Sequence, residues 1–470
     1  MVSAGVGTAL ARGVCGRGGE SPRAAAPVSS ADGTGLLRTP TGGRLGLCPG
    51  VRRGPSQPQT CPDWAPRAAL GPRTDPAAAA LRGGSLNVSV GEDLSFWAMR
   101  SEPLEKPSGW REGRAALGQT LVLLGSQDMA NTFYFLLPLV LPIRKDHKVM
   151  VTNLRFGTIP VRLFQPKTAS PSLRRGIIFY HGGGSVMGSL DSYHNLCNFL
   201  ARETNSVLMA VGYHKYPDYL YPITFRDCLN ASIHFLKSLK FYGVDPSRVV
   251  FCGDSSGGTI VANMTQTLIG RPDLPWIQAQ ILIYPYVQFI NLQLSSFQQS
   301  KNIPLLTRNL MLMIMCKYLA IDLSWKDALL TGACIPVDVW EKYRKWLSSD
   351  NLPERFRKKD KQQPEFPAPF NEAAYLETKH IFDIENFPLL ADDNIFAQIP
   401  EAFIVTCEWA ILRDDGLLYI KRLEDQGVPV TWHHVEDGFH GCINFFDKKI
   451  FSFPCSWNIM NAVVSYIKDI

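Results

Sequence analysis

The stretch RVVFCGDSSGGTIVANM, Arg248 to Met264, restricts the fold more than any other part of the chain. An apolar β-branched run reads as a strand and a helical run follows. Between them Gly253-Asp254-Ser255-Ser256-Gly257 must reverse the chain within five residues. Glycines on both sides permit so sharp a turn, and the turn makes the Ser255 side chain project from its apex. Strand, tight turn and helix in that order are the unit of a mostly parallel sheet covered by helices.

From about residue 148 the chain repeats this rhythm. The runs VMVTNLRF, IPVRLFQ, GIIFYH, SVLMAVGY, AQILIYPYV, AFIVTCEW and VPVTWHHV read as strands. Continuous apolar strands separated by helical stretches indicate an α/β fold with a mostly parallel central sheet and helices on both faces. The spacing of apolar residues in FRDCLNASIHFLKSL predicts a helix over 225–239. Between AQILIYPYV and AFIVTCEW lie more than a hundred residues, too many for a simple crossover. An inserted helical cap over about 290–390, above the carboxyl ends of the strands, is expected there.

The formal charge of +6 raises the question of a nucleic-acid partner, and its location answers it. Residues 1–84 carry ten Arg, no Lys and four acids, while the remaining residues carry 38 basic and 38 acidic groups. A body without basic excess has no footprint for a phosphate backbone. The first 84 residues are rich in Ala, Gly, Pro and Arg, a composition that reads as disordered; it also fits a transit peptide. Residues 85–147 hold AALGQTLVLLG and TFYFLLPLVLPI, expected as cap or membrane-proximal helices, each too short to span a bilayer. The α/β domain then occupies 148–470. Eleven cysteines without CxxC spacing argue against a zinc site, and nothing in the pattern points to a metal or organic cofactor. Asn87, Asn230 and Asn263 stand in glycosylation triplets that matter only in a secretory compartment.

Two motifs carry the chemistry. HGGGSVMG, from His181, follows the strand GIIFYH, and its consecutive glycines expose backbone N–H groups to an anion. Paired with the Ser255 elbow, this loop forms an expected oxyanion hole from the N–H groups of Gly183, Gly184 and Ser256, with Gly182 and His181 as its motif neighbours. A structural hydrogen bond is the expectation for His181. A serine hydroxyl needs a base. His440, in VEDGFHGC just past the last strand, lies at the same end of the sheet as Ser255, whereas His433 and His434 lie within the strand.

The motifs HGGGSVMGSL, CGDSSGG, YGVDPSRVV, FNEAAYLE and LRDDGLLYIKRLEDQGVPVTWHHVEDGFHG resemble the arylacetamide deacetylase group. That group lies within the hormone-sensitive-lipase-like HGGG/GxSxG branch of the α/β-hydrolases, and the likeness runs from about Trp110 to the C-terminus. The resemblance implies an α/β-hydrolase fold and a carboxylesterase or deacetylase acting on hydrophobic esters and amides. It also implies membrane association, with a luminal catalytic domain in the endoplasmic reticulum, held by an N-terminal helix that is not visible in this sequence.

The family's catalytic Asp stands three residues before the Arg of LRDDG and about thirty before the catalytic His. Here that position is Ala410. Glu408, two residues earlier, shares the side-chain direction of 410 if the extended conformation persists, and is the expected substitute acid. Asp414 and Asp415 read as acids favoured at a helix N-terminus. The expectation is a Ser255–His440 esterase of impaired activity; the alternative is a pseudo-hydrolase that binds hydrophobic ligands or partners.

Overall fold

A computed structural model of the chain describes residues 143–144, 146–298, 303–357, 366–447 and 452–470. The segment 1–84, the two apolar stretches before residue 143 and the triplet at Asn87 lie outside the described residues. Eight strands form one sheet: β1 Val149–Phe156, β2 Ile159–Pro166, β3 Arg174–Tyr180, β4 Val207–Val211, β5 Val244–Asp254, β6 Ala279–Ile283, β7 Glu401–Trp409 and β8 Val430–Phe439. Their order is β1-β2-β4-β3-β5-β6-β7-β8. β2 pairs antiparallel with β1 and with β4, and every pairing from β4 to β8 is parallel. The central strands β4 and β6 are buried at every residue, which is why their sequences, VLMAV and AQILI, carry little of the polar alternation of a half-exposed strand.

Eleven α-helices are described: α1 His194–Glu203, α2 Ile223–Lys237, α3 Ser256–Thr267, α4 Ser295–Gln298, α5 Arg308–Tyr318, α6 Lys326–Thr331, α7 Val337–Leu347, α8 Glu372–Thr378, α9 Asp393–Phe396, α10 Arg413–Asp425 and α11 Pro454–Asp469. α1 and α11 cover one face of the sheet, and Leu200, Ile459 and Val463 pack there with Ile177, Ile281 and Val405. α2, α3 and α10 cover the other, with Phe235, Val261 and Leu418 against Ile178, Phe251 and Ile404. α2 begins and ends two residues before the span its periodicity predicts, because Pro222 occupies the N-cap position and a separate 3-10 turn takes Leu239–Tyr242.

The chain between β6 and β7 is helical, from α4 to α9. Its apolar residues join the cluster on the α2/α3/α10 face: Leu312, Met315 and Tyr318 of α5 are buried there with Leu347 of α7. Thr307 caps α5, its side chain accepting from the N–H of Leu310 at 3.3 Å. Among the described residues no helix is long and apolar enough to cross a membrane, and all eight cysteines are free and buried. Asn230 is exposed on α2, whereas Asn263 is buried on α3.

Candidate active site

Ser255 sits between the end of β5 and the start of α3 with φ 53° and ψ −120°. A non-glycine residue in that region stores on the order of 1–3 kcal/mol, and the surroundings must hold it there. They do so through close approach: a Cβ on Gly257 would come within 2.0 Å of the Tyr180 carbonyl oxygen, so only glycine lets α3 start against β3. The Ser255 N–H donates to the Ile283 carbonyl at 2.9 Å. The Oγ thereby projects from the turn and lies 2.8 Å from His440 Nε2.

The glycine loop is tied to the elbow by a buried carboxylate. Asp254 Oδ1 accepts from the Gly182 N–H at 2.9 Å, and Oδ2 accepts from the Tyr193 hydroxyl at 2.9 Å. Burial lifts the Asp254 carboxyl to about 7, against those two hydrogen bonds, which pull it down. Gly183 has φ 116°, and a Cβ there would meet the Met187 carbonyl oxygen at 2.4 Å. The Gly184 N–H donates to Ser256 Oγ at 2.9 Å, joining the loop to the first residue of α3. His181 is buried, its Nδ1 2.8 Å from the Gly182 carbonyl and its ring stacked between Tyr193 and Tyr213. Burial, with the nearby Lys215 charge, pulls its imidazole down to about 3. It lies behind the glycine loop, its ring packed against aromatic neighbours.

Beyond its contact with Ser255, His440 has no side-chain hydrogen-bond partner among the described residues. Its ring lies 4.8 Å from that of Tyr284, burial pulls the imidazole down to about 3, and Nδ1 is buried with no hydrogen-bond partner among the described residues. Ala410 is fully buried in the same layer as Phe439, Cys442 and Tyr284.

The expectation for Glu408 is overturned. Its Oε1 accepts from Arg413 Nη1 at 3.0 Å and its Oε2 lies 3.1 Å from His434 Nε2, so neither oxygen serves His440. The physical reason is a register shift between β7 and β8 at Cys407/Trp409. Phe403, Val405 and Cys407 face the α1/α11 layer while Ala402 and Ile404 face the other. After the shift Ala410 rejoins the Cys407 side instead of sharing the direction of Glu408. Asp414 and Asp415 open α10 and are also spent: Asp414 Oδ2 accepts from the Ser296 N–H at 2.7 Å, and Asp415 Oδ1 accepts from Gln288 Nε2 at 2.9 Å. His433 bonds Asn458 at 2.9 Å, and His434 bonds Thr406 as well as Glu408. Glu408, His434 and Glu436 bring three possible metal-ligand atoms within 4.8 Å of one another, but Arg413 and Arg355 hold the two carboxylates as ion pairs.

A pocket of about 780 Å³, counting its opening to solvent, lies over Ser255 and His440. Its floor is the glycine loop with Met187 and Phe445, and its roof is Leu305, Leu306, Met311 and Ile314 of the inserted segment. The sequence motifs did not point to the roof residues or to Tyr193; an aspartate inside a turn that must be buried was a readable sign for the part played by Asp254. The arrangement can bring an apolar acyl or alkyl group beside a serine hydroxyl, an imidazole nitrogen and the backbone of the glycine loop.

The α/β hydrolase fold family profile matches residues 177–340 and 352–444. The chain is 64% identical to human arylacetamide deacetylase-like 4 over 354 residues, which cover 75% of this chain and 86% of that protein. It is 36% identical to mouse arylacetamide deacetylase over 353 residues, 73% of this chain and 88% of that one. A thermostable carboxylesterase cloned from a metagenomic library shares the fold with a TM-score of 0.53 at 22% identity, covering 77% of this chain and 97% of its own. The chain therefore belongs to the arylacetamide deacetylase-like family of α/β-hydrolase fold proteins.

Proposed function

We propose that the protein is a serine carboxylesterase or deacetylase of reduced turnover, acting on hydrophobic esters or amides. The observation that carries this reading is the 2.8 Å contact between Ser255 Oγ and His440 Nε2 under an apolar roof. Ser255 Oγ attacks the substrate carbonyl carbon while Nε2 takes its proton. The carbonyl oxygen, now negative, is received by N–H groups of Gly183, Gly184 and Ser256. Gly184 exchanges its present bond to Ser256 Oγ for the oxyanion. Collapse expels the alcohol or amine, which takes the proton from Nε2, and water then hydrolyses the acyl-enzyme by the same route in reverse roles.

The cost falls on His440. The productive tautomer carries its proton on Nδ1, and that atom is buried without an acceptor. A lone buried donor costs about 1–3 kcal/mol, and the imidazolium that forms during attack has no counter-charge. The same orphan atom favours a second reading, a binding protein for hydrophobic ligands with little or no turnover.

The experiment is fluorophosphonate labelling together with hydrolysis of a short p-nitrophenyl ester by the natural chain, Ser255→Ala and Ala410→Asp. The esterase reading expects weak turnover and labelling that vanish in the first variant and rise in the second. Equal rates in all three remove Ser255 from the chemistry and leave the binding reading. Membrane association and a luminal, endoplasmic-reticulum setting are proposed from the family resemblance; protease protection in intact microsomes tests them.

A further inference from the structure

Asn444 lies on the wall of the Ser255 pocket together with His440, Gly441 and Phe445. A 3-10 turn over Cys442–Phe445, with Gly441 at φ 82° before its first residue, carries the chain from His440 to it, and the Asn444 N–H donates to the Gly441 carbonyl at 3.0 Å. The turn folds residue 444 back beside the histidine. A Cβ built on Gly441 would stand 3.6 Å from Asn444 Nδ2 and 3.4 Å from Leu305 Cδ1, so the amide flanks the strip of chain between His440 and the pocket roof.

Other polar side chains of that wall are committed. Ser192 Oγ donates to the Ser189 carbonyl at 3.0 Å and accepts from the Ser189 N–H at 2.8 Å, Tyr193 gives its hydroxyl to Asp254 at 2.9 Å, and Ser255 faces His440. The Asn444 side chain, partly buried, makes no hydrogen bond among the described residues. Its neighbours on the wall include the apolar Leu305 and Phe445. A primary amide on such a surface, with an acceptor oxygen and two donor hydrogens unused, is suited to a polar group that a ligand brings with it.

The position of the reacting atoms decides which group that is. On the proposed mechanism the leaving atom comes within hydrogen-bond reach of His440 Nε2, because that nitrogen supplies its proton. The leaving group therefore stands on the His440 side of the reacting carbon, the side that Asn444 flanks. An ester leaves through an oxygen that carries no hydrogen. A secondary amide leaves through a nitrogen that keeps its N–H throughout, and this N–H points elsewhere into the pocket while the nitrogen lone pair is turned to His440. Enclosed without an acceptor it is costly; an asparagine oxygen beside the histidine satisfies it.

We infer that Asn444 is a specificity-determining residue, its Oδ1 accepting from the N–H of a secondary amide and so shifting the site toward amides over matched esters. The inference rests on the Ser255–His440 reading of the pocket. As the C–N bond breaks, the N–H stays with the departing amine, the second hydrogen comes from Nε2, and the acyl group remains on Ser255 Oγ. Because the contact serves amides and has no counterpart in esters, it acts on the ratio of the two rates.

The test is the ratio of kcat/KM for p-nitroacetanilide to that for p-nitrophenyl acetate, measured on the full-length chain and on Asn444→Leu, Asn444→Ala and Asn444→Asp, each also in the Ala410→Asp background. A ratio does not depend on the fraction of folded protein. Asn444→Leu, close in size and without polar atoms, and Asn444→Ala are each expected to lower it about tenfold, the upper range for one hydrogen bond. Asn444→Asp keeps an acceptor and is expected to hold it within about threefold. N-methyl-p-nitroacetanilide, which has no N–H, should lose the dependence on residue 444. An unchanged ratio in Asn444→Leu and Asn444→Ala, with Ser255→Ala inactive on both substrates, overturns this inference and leaves the hydrolase reading standing. Hydrolysis that persists in Ser255→Ala, or none by the natural chain and by Ala410→Asp alike, overturns both.

Discussion

The two halves of the proposed catalytic pair are built to different standards. On the serine side the fold spends a buried carboxylate, Asp254, the Tyr193 hydroxyl and a strained backbone to fix Ser255 and the glycine loop. On the histidine side His440 is placed just as well, 2.8 Å from Ser255 Oγ, and its far nitrogen is then left without a partner among the described residues. Position and electrostatics are therefore separable. The sheet delivers His440 to its place through β8, whereas the counter-charge that the proposed mechanism would use depends on the side chain at position 410.

The largest effect is expected from the serine side. Ser255→Ala should remove fluorophosphonate labelling and bring ester hydrolysis to the level of the uncatalysed reaction plus whatever the pocket alone supplies, typically a loss of about 10³-fold or more for an enzyme of full strength. Residual burst-phase acylation in that variant would break the comparison at its root. Next comes repair of the histidine side. Ala410→Asp should raise kcat/KM at least about tenfold, and by as much as about 10⁴-fold if the new carboxylate reaches Nδ1, the range set by removal of the acid elsewhere. A carboxylate built into a buried apolar layer also carries a desolvation cost, so thermal stability should fall as activity rises.

The third expectation concerns pH. With burial holding His440 down to about 3, the imidazole stays neutral through the physiological range, so the acid limb of kcat/KM should lie well below the usual histidine value near 6.5. Ala410→Asp should move that limb upward, because a counter-charge favours the imidazolium. For stability the sign is set by a lowered folded-state pKa on a base: His440 contributes stability that is present above about 6.5 and lost as pH falls toward 3. Asp254 runs with the opposite slope. Its carboxyl is raised to about 7 in the fold, so its contribution is full below about 4 and declines as pH rises through 7. Asp254→Asn should flatten that decline in urea melts taken between pH 4 and 7.

The smallest effect on catalysis is expected at Glu408. Because both its oxygens are engaged by Arg413 and His434, Glu408→Gln should leave turnover per folded molecule within about twofold, while weakening the setting of a buried arginine and lowering Tm. A loss of activity equal to that of Ser255→Ala would restore Glu408 as the acid.

What could be read in advance follows from how local each signal is. The GDSSGG turn and the HGGG loop are contiguous, and their backbone requirements are written in their own glycines. His440 was legible because one strand separates it from a recognisable end of the sheet. Glu408 was misjudged because strand alternation was carried past residue 407, where the pairing with β8 slips and the side-chain faces change over. The pocket roof was not legible at residue level, since Leu305, Met311 and Ile314 reach the glycine loop only through the folding of the inserted segment. The tie between Asp254 and Tyr193 spans 61 residues and has no spacing that a sequence displays.

Gly184 meets Ile314 of α5 so closely that a Cβ on it would stand 2.6 Å from the isoleucine Cγ2. The ceiling of the pocket and the glycine loop are consequently in direct contact. On the proposed esterase mechanism, an acyl group bulky enough to displace Ile314 would disturb the strip of backbone proposed to receive its oxygen, so breadth of substrate and speed of cleavage would be set against each other at a single point of touch.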